Sequence, residues 1–141
     1  GCTADQEVAY RLANFNSSGC FQDQAGQTGN NAPELAASMY ANYFKNIAES
    51  WKMTLSINAN YQDDVYSNTD NDPNAFTEEY TKVNVSASLE HSDGFEVSIF
   101  ARNVTDEVTA TQLLDLPLVP GSHFALWAPG KEVGISFRGK F

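Results

Sequence analysis

The chain has 141 residues, of which 42% are hydrophobic and 18% are charged, and its 18 acidic and 8 basic residues give a net charge of −10. This is the length of one ordinary domain, and the low charged fraction, made up by Asn, Ser, Thr, Gln and aromatic residues, favours sheets and loops over helices. The acidic balance excludes binding of nucleic acid or anionic lipid through phosphates, which needs a basic stripe. Acidic loops that keep a sheet protein soluble explain the charge more simply than a cation-collecting role does.

The first 33 residues are rich in Gly, Asn, Gln and Ser and show no sustained period, which predicts a long polar loop region with one short helical or strand piece around Val8 to Phe15. Both cysteines, Cys2 and Cys20, lie in this stretch, and no nearby His, Cys or Glu has zinc spacing. A disulfide between them would fit an oxidising, extracytoplasmic location, and two free thiols are the alternative.

The opening letters "GCTADQEVAY" contain no signal peptide, and no run of about 20 apolar residues predicts a transmembrane helix. Gly1-Cys2 is compatible with a processed lipoprotein, with a start inside a larger protein, or with a glycine left by an expression vector. We expect one of the last two.

From Glu34 onward the chain alternates with period two in five segments. In "WKMTLSINANYQ" the apolar Met53, Leu55 and Ile57 alternate with polar neighbours, and the other segments are "LAASMYANYF", "TKVNVSASLEH", "GFEVSIFARN" and "VGISFRGKF". This pattern predicts an all-β, antiparallel meander over residues 34–141. The joins alternate in length: "KNIAES" and "HSDG" are short, whereas "VYSNTDNDPNAFTEE" and "LLDLPLVPGSHFALWAPG" are long.

Strand length and aromatic placement favour an outer-membrane barrel. The segments run about ten residues, which is what a tilted strand needs to cross a bilayer. Aromatic residues gather near the strand ends, and short turns on one rim with long loops on the other are typical of such barrels. These aromatic residues are Tyr43, Phe44, Trp51, Tyr61, Tyr66, Tyr80, Phe95, Trp127 and Phe141.

A lipocalin-like soluble barrel is the alternative, with its apolar register facing inward. Alternation alone does not distinguish the two arrangements. The residues that alternate with the apolar ones are mostly Ser, Asn and Thr. They fit a water-filled lumen better than the outer surface of a soluble protein, which usually carries more Lys and Glu.

Catalytic and metal-binding patterns are weak. The oxygen donors of Asp63-Asp64 and "DNDPN" fail as an EF-hand, because Ala75 and Thr81 take positions six and twelve, so we interpret this stretch as a solvated turn. His91 and His123 have no partner at ligand spacing and are predicted to be polar surface residues. With no catalytic, phosphate-binding or metal motif, we predict no enzyme activity, cofactor or metal.

From Asn31 to Phe141 the sequence resembles the C-terminal end of TonB-dependent outer-membrane receptors. The resemblance lies in "NAPE", "YQDDVY", "YTKVNVSASLEHSDGFEVSIFARNVTDE" and "APGKEVGISFRGKF", in that order. Within them Val104 stands where the family more often has Leu, and Gly130-Lys131 stands where it has Arg. The stretch "GCFQDQAGQTGNNAPE" resembles an upstream loop of the family, including its cysteine.

The resemblance implies a bacterial outer-membrane location and the last four or five strands of a 22-stranded barrel that imports siderophores, cobalamin, sugars or similar nutrients. Its implied partners are the outer membrane, the barrel-assembly machinery, a small-molecule nutrient and, through an N-terminal part outside this sequence, TonB.

Site residues follow from the resemblance and from residue type. Asn103, Thr105, Asp106 and Glu107 match the family motif, and we assign them a structural role. The short side chains of Asn103, Thr105 and Asp106 are expected to bond nearby backbone at a bulge or kink within a strand, and Glu107, like Arg102, is expected to be a lumen or rim charge. Phe137 and Phe141 resemble the C-terminal assembly signal of outer-membrane barrels.

Phe124 and Trp127 lie in a long join, and they are candidates for an aromatic, ligand-facing surface. Loops that only shield a pore mouth are an equally good explanation.

Five strands cannot close a membrane barrel, because the smallest use eight, and each open edge in lipid leaves unpaired backbone groups at several kcal/mol each. We therefore expect the isolated chain to form a homo-oligomer or a compact closed β-structure. A free-standing soluble β-barrel or lipoprotein that binds a small apolar ligand is the alternative function.

Overall fold

The computed structural model describes residues 4–13, 20, 25–67, 71–116 and 122–139. One α-helix, α1 (Ala4–Ala13), lies in the region predicted to be mostly loop. The strands are β1 (Ala36–Ala48), β2 (Trp51–Gln62), β3 (Val65–Tyr66), β4 (Phe76–Thr77), β5 (Tyr80–His91), β6 (Phe95–Arg102), β7 (Ala110–Asp115), β8 (His123–Trp127) and β9 (Glu132–Gly139). Among the described residues, no helix combines the length and apolar character needed to cross a membrane.

Five of these strands form one antiparallel sheet in the order β1-β2-β5-β6-β9. Each strand pairs with the next long strand along the chain, so the sheet is an up-and-down meander. The predicted all-β, antiparallel meander is therefore confirmed. Closure is not seen, since β1 and β9 lie at opposite edges of this sheet.

The strand register places residues of one parity on one face. Directly paired residues of antiparallel strands share a face, and one row across the sheet runs through Ala41, Ile57, Val85, Ala101 and Val133. Since side chains alternate along a strand, the odd-numbered residues of β2, β5, β6 and β9 and those of β1 up to Lys45 fall on the same side. A slip of one residue at any pairing would exchange the two faces of that strand.

We call the two sides the apolar face and the polar face. The apolar face consists of the odd-numbered residues of β2, β5, β6 and β9 together with the odd-numbered residues of β1 from Ala37 to Lys45. The polar face consists of the even-numbered residues of β2, β5, β6 and β9 together with the even-numbered residues of β1 from Ala36 to Asn46. A register shift between Asn46 and Ala48 ends the regular pairing of β1.

The two long joins contain short hairpins that the sequence did not predict. β3 pairs with β4, and β7 pairs with β8, both antiparallel. Each hairpin strand has only two to six residues and lies within three residues of a Pro, Gly or Asp. The sequence therefore does not predict these four strands, because a period of two is hard to recognise over so few residues among turn-forming ones.

The chain divides into two compact units, each described here separately. The sheet unit comprises Ala36–Gln62, Tyr80–Val108 and Pro129–Phe141, and the loop unit comprises Gly1–Leu35, Asp63–Glu79 and Thr109–Ala128. The sequence of the sheet unit has seven acidic and seven basic residues, whereas the loop unit has eleven acidic residues and one basic residue. The whole net charge of −10 thus belongs to the loop unit.

Buried apolar side chains are few among the described residues. Val65, Ala75 and Leu113 are the buried hydrophobic residues, and all three belong to the loop unit. The five-stranded sheet, which holds most of the large apolar side chains, buries none of them in this way.

On the polar face, an aromatic ring covers a glycine of the neighbouring strand. Phe100 of β6 lies directly opposite Gly134 of β9. A β-carbon added at Gly134 would lie 2.4 Å from Cζ of that ring. The Arg102 guanidinium lies 4.7 Å from the ring centroid, so the ring is held between the glycine and the cation.

We predict that Gly134→Ala lowers the free energy of unfolding by about 1–3 kcal/mol, because the new methyl group displaces the Phe100 ring. Urea unfolding followed by circular dichroism measures this. In a Phe100→Ala background the same change should be neutral or stabilising, since alanine suits a strand better than glycine.

Gly29→Ala is the matched control, since its β-carbon would make an ordinary 3.5 Å contact with Ala32. An equal effect of Gly134→Ala with and without Phe100 would contradict the proposed clash.

Candidate functional site

The apolar face is the most unusual surface of the described chain. Eleven of its large hydrophobic side chains are between 38% and 77% exposed. They are Met39, Tyr43, Leu55, Ile57, Val85, Leu89, Val97, Ile99, Val133, Ile135 and Phe137. A contiguous apolar surface of this kind marks a site that binds protein, lipid or an apolar ligand.

The longest strands match the thickness of a bilayer. β1 has 13 residues, and β2 and β5 have 12 each. A 12-residue strand spans about 40 Å, and a tilt of roughly 45° reduces this to about 28 Å, close to the hydrocarbon thickness of a bilayer. Ordinary globular strands have about five or six residues.

Charged residues of the sheet lie almost entirely on the polar face. Lys45 is the one charged residue of these five strands on the apolar face, near the end of β1. The others on the strands are Lys52, Lys82, Glu90, Glu96, Arg102, Glu132 and Arg138. The two faces therefore differ in charge as well as in hydropathy.

Amides connect the polar face across three strands. Ser38 Oγ donates to Asn60 Oδ1 at 2.9 Å, and Asn60 Nδ2 donates to Asn58 Oδ1 at 2.6 Å. Asn84 Nδ2 donates to the same Asn58 oxygen at 3.2 Å. These bonds satisfy polar groups in a half-buried setting, where an unsatisfied group would be costly.

Two ion pairs join β6 to the edge strand β9. Arg102 lies 3.5 Å from Glu132, and Arg138 lies 3.5 Å from Glu96, each nitrogen-to-oxygen distance joining residues that are also directly opposite in the register. Both pairs are largely exposed, so each contributes little to stability. They do fix the order of charges along the edge.

Three rings form a cluster near the two short turns. The His91 ring stacks on Phe95 with centroids 4.6 Å apart and meets Trp51 edge-on at 4.7 Å. The Asp93 N–H donates to His91 Nδ1 at 3.2 Å. The sequence prediction of His91 as a polar surface residue is wrong, because its long-range strand pairing with Trp51 was not visible in the local sequence.

The segment Asn103–Glu107 forms a tight turn after β6, so the predicted bulge or kink within a strand is wrong. Asn103 is buried and has φ of 48°, a conformation that asparagine tolerates better than most residues. Its Nδ2 donates to the carbonyls of Glu107 and Pro129 at 2.9 and 3.3 Å, and its Oδ1 accepts from the Glu107 N–H at 3.1 Å. One side chain thus joins the end of β6 to the segment that leads into β9.

The other motif residues extend this connection. Thr105 Oγ1 donates to the Thr81 carbonyl at 2.8 Å, which ties the turn to β5. Asp106 Oδ1 accepts from the Lys131 N–H at 2.8 Å, immediately before β9. The motif therefore binds backbone, and the geometry contains no nucleophile and base pair among these residues.

The loop unit contains one polar contact that sequence reasoning missed. His123 Nε2 lies 3.5 Å from Asp72 Oδ2, and both side chains are largely buried. Asp72 Oδ1 also accepts from the backbone and side-chain nitrogens of Asn74 at 2.8 and 2.9 Å. His123 is thus wrongly predicted as a surface residue, because a contact across 51 residues leaves no local pattern.

The remaining predicted site residues are not brought together. Phe124 and Trp127 are exposed, but a spacing of three along β8 directs them to opposite faces of that strand. Phe137 lies exposed on the apolar face, whereas Phe141 and Cys2 lie outside the described residues. Cys20 is disulfide-bonded. Within the described part of the chain, no three His, Cys, Asp or Glu residues are grouped so that they could hold a metal ion.

Comparison of the chain with models of protein families, with characterised proteins and with solved structures finds no match.

We predict that Asn103→Gly lowers the free energy of unfolding by about 2–3 kcal/mol, because it removes the side-chain bonds to Glu107 and Pro129 while keeping the backbone conformation accessible. Asn103→Ala should cost roughly 1–2 kcal/mol more, since alanine disfavours positive φ. Urea unfolding measures both. Equal losses for Gly and Ala, or losses below about 0.5 kcal/mol, would contradict the role assigned to Asn103.

We predict that Asp72→Ala speeds amide hydrogen exchange at Ala75, because Asp72 caps the 3-10 turn Pro73–Ala75 and its loss costs about 1 kcal/mol, or roughly five-fold in exchange. Asp72→Asn is the control, since the amide oxygen still accepts from Asn74. Unchanged exchange in Asp72→Ala would contradict the cap.

Proposed function

We propose that this chain forms part of the wall of an outer-membrane β-barrel of the TonB-dependent receptor type, which imports small-molecule nutrients. In this proposal the apolar face contacts lipid and the polar face lines the lumen. The function is transport, with no catalytic role for any residue.

The uncovered apolar face carries the proposal. A soluble sheet of this size would bury its large apolar side chains, yet Val133, Ile135 and Phe137 are 70–77% exposed. Hydrocarbon is a favourable environment for such side chains, and it accepts a sheet whose two edges are paired, as they are in a closed barrel. Strand lengths of 12 and 13 residues support the same environment.

The distribution of charge is consistent with this environment. Charged side chains cost about 2–4 kcal/mol on the lipid face at the middle of a bilayer and much less near its interfaces. Lys45, the one charged residue on the apolar face, lies three residues from the end of β1. The aromatic cluster of Trp51, His91 and Phe95 lies near the same rim, as expected for rings at a membrane interface.

The polar face fits a water-filled lumen. Its Asn and Ser side chains bond to one another and leave further donors and acceptors for water. The net charge is zero for the sheet unit and −10 for the loop unit, so the excess charge lies in the N-terminal segment and in the long joins and not in the strands of the sheet.

A soluble protein that binds a small apolar ligand is the second candidate. One observation favours it: a depression of about 380 Å³ on the sheet is lined chiefly by apolar side chains, including Leu55, Val85, Ile99 and Val133. In that case the apolar face would hold a ligand and would avoid lipid.

A pair of neighbouring substitutions on β2 separates the two candidates. We predict that Ile57→Arg weakens folding into phosphatidylcholine vesicles by about 2–4 kcal/mol, because it places a charge on the lipid face near mid-membrane. Ser56→Arg, one residue away on the polar face, should change it by less than about 1 kcal/mol. Urea-dependent folding into vesicles, at protein densities that allow copies to pair, measures both.

Equal effects of the two substitutions would contradict the proposed orientation. Failure of the unmodified chain to associate with vesicles, together with saturable binding of an apolar dye that Ile57→Arg abolishes, would establish the second candidate.

A further inference from the structure

β9 is an edge strand, and the side of it that faces away from β6 pairs with no strand among the described residues. Five neighbouring antiparallel strands place β1 and β9 in the same direction. Pairing β9 of one copy with β1 of another would therefore be parallel. Pairing β9 of one copy with β9 of another, around a two-fold axis, is antiparallel. Sheets in membranes use antiparallel pairing, so β9 is expected to pair with β9 of a second copy and not with its β1.

We propose that two copies of this chain pair through β9, with Ile135 of each copy on the two-fold axis. The pairing must place odd residues opposite odd residues, because any other register would set one copy's apolar face against the other's polar face. Centring on Ile135 retains nearly the full length of β9. It also places Val133 of one copy opposite Phe137 of the other.

Charge complementarity selects this register. Centring on Ile135 puts Glu132 of each copy opposite Arg138 of the other. Within one copy, Arg102 already pairs with Glu132 and Arg138 with Glu96. The polar face of the joined sheet then reads Arg102, Glu132, Arg138, Glu96 across the two copies, with every neighbour of opposite sign.

Two neighbouring registers also place odd residues opposite odd residues, but neither produces this alternation of charge among the described residues. Centring on Gly134 places Glu132 opposite Ser136, and centring on Ser136 places Arg138 opposite Gly134. The Gly134 position is already occupied by the Phe100 ring, which leaves no space for an arginine stem.

The joined sheet has ten antiparallel strands and two remaining edges, both β1. Pairing of these two edges would close the sheet with an even number of strands, its apolar face outward, which meets the requirement that no strand edge remains in lipid. The β9 pairing concerns the chain by itself and does not rest on nutrient transport.

A charge-exchange experiment in non-ionic detergent tests the pairing, because detergent covers the apolar faces without joining copies. Glu132→Arg creates two Arg–Arg contacts across the two-fold axis, and Arg138→Glu creates two Glu–Glu contacts. We expect each variant alone to dimerise about ten-fold more weakly than the unmodified chain by analytical ultracentrifugation. An equimolar mixture of the two should recover the dimer, since both interchain contacts are then of opposite sign.

Glu90→Arg is the matched control. It makes the same charge change on the same face of the interior strand β5, and it should leave dimerisation unchanged. A monomer at every concentration, a dimer that Glu132→Arg does not weaken, or a mixture that fails to recover would each overturn the proposal.

Cross-linking locates the axis independently. Ile135→Cys should join two copies in high yield with a short thiol-reactive cross-linker, because directly opposite residues lie about 5 Å apart. Ile99→Cys, which lies on β6 in the same row, should not, because three strand spacings of about 4.8 Å would separate the two copies. Equal yields would indicate that the apolar faces stack, and would overturn the edge pairing.

Discussion

The separation of most large apolar side chains from most charged ones by residue parity is the constraint on which the rest of this structure depends. The strand pairings preserve it across the five-stranded sheet up to the register shift near the end of β1, and the rings of Tyr40, Phe44 and Phe100 are large exceptions on the polar face. The consequence is a sheet with two different surfaces and no buried apolar side chain between them. We propose that something apolar covers one surface of this sheet, and the 12 or 13 residues of β1, β2 and β5 are the reason for proposing a bilayer.

The polar face adds specificity that the apolar face does not provide. Apolar contacts tolerate many arrangements, whereas a buried amide with fixed partners tolerates few. Asn103 illustrates this, because it holds the end of β6, the turn that follows and the segment before β9 at once. The register of β9 against β6 is then reinforced by two ion pairs and by the Phe100 ring over Gly134.

The sequence was sufficient for the existence of the five long strands, because a period of two is a local property of the chain. The end of β1 was predicted wrongly, since the strand continues through most of the predicted join "KNIAES" to Ala48. The sequence was insufficient for β3, β4, β7 and β8, whose short runs lie among turn residues. The contacts of His91 with Trp51 and of His123 with Asp72 join residues that are 40 and 51 positions apart, so no local sequence pattern predicts them. Residue type alone indicated that Asn103, Thr105 and Asp106 bond backbone, but the reach of Asn103 to Pro129 required the fold.

The most direct test of this account is nitroxide scanning along β5, the central strand of the sheet, in phospholipid vesicles. A spin label is placed in turn at each position from Val83 to Leu89, and its collisions with oxygen and with a water-soluble nickel complex are measured. The account predicts that labels at the odd positions favour oxygen and labels at the even positions favour nickel, alternating with period two. Labels on both faces that are equally accessible to nickel, or odd positions protected from both reagents, would contradict it.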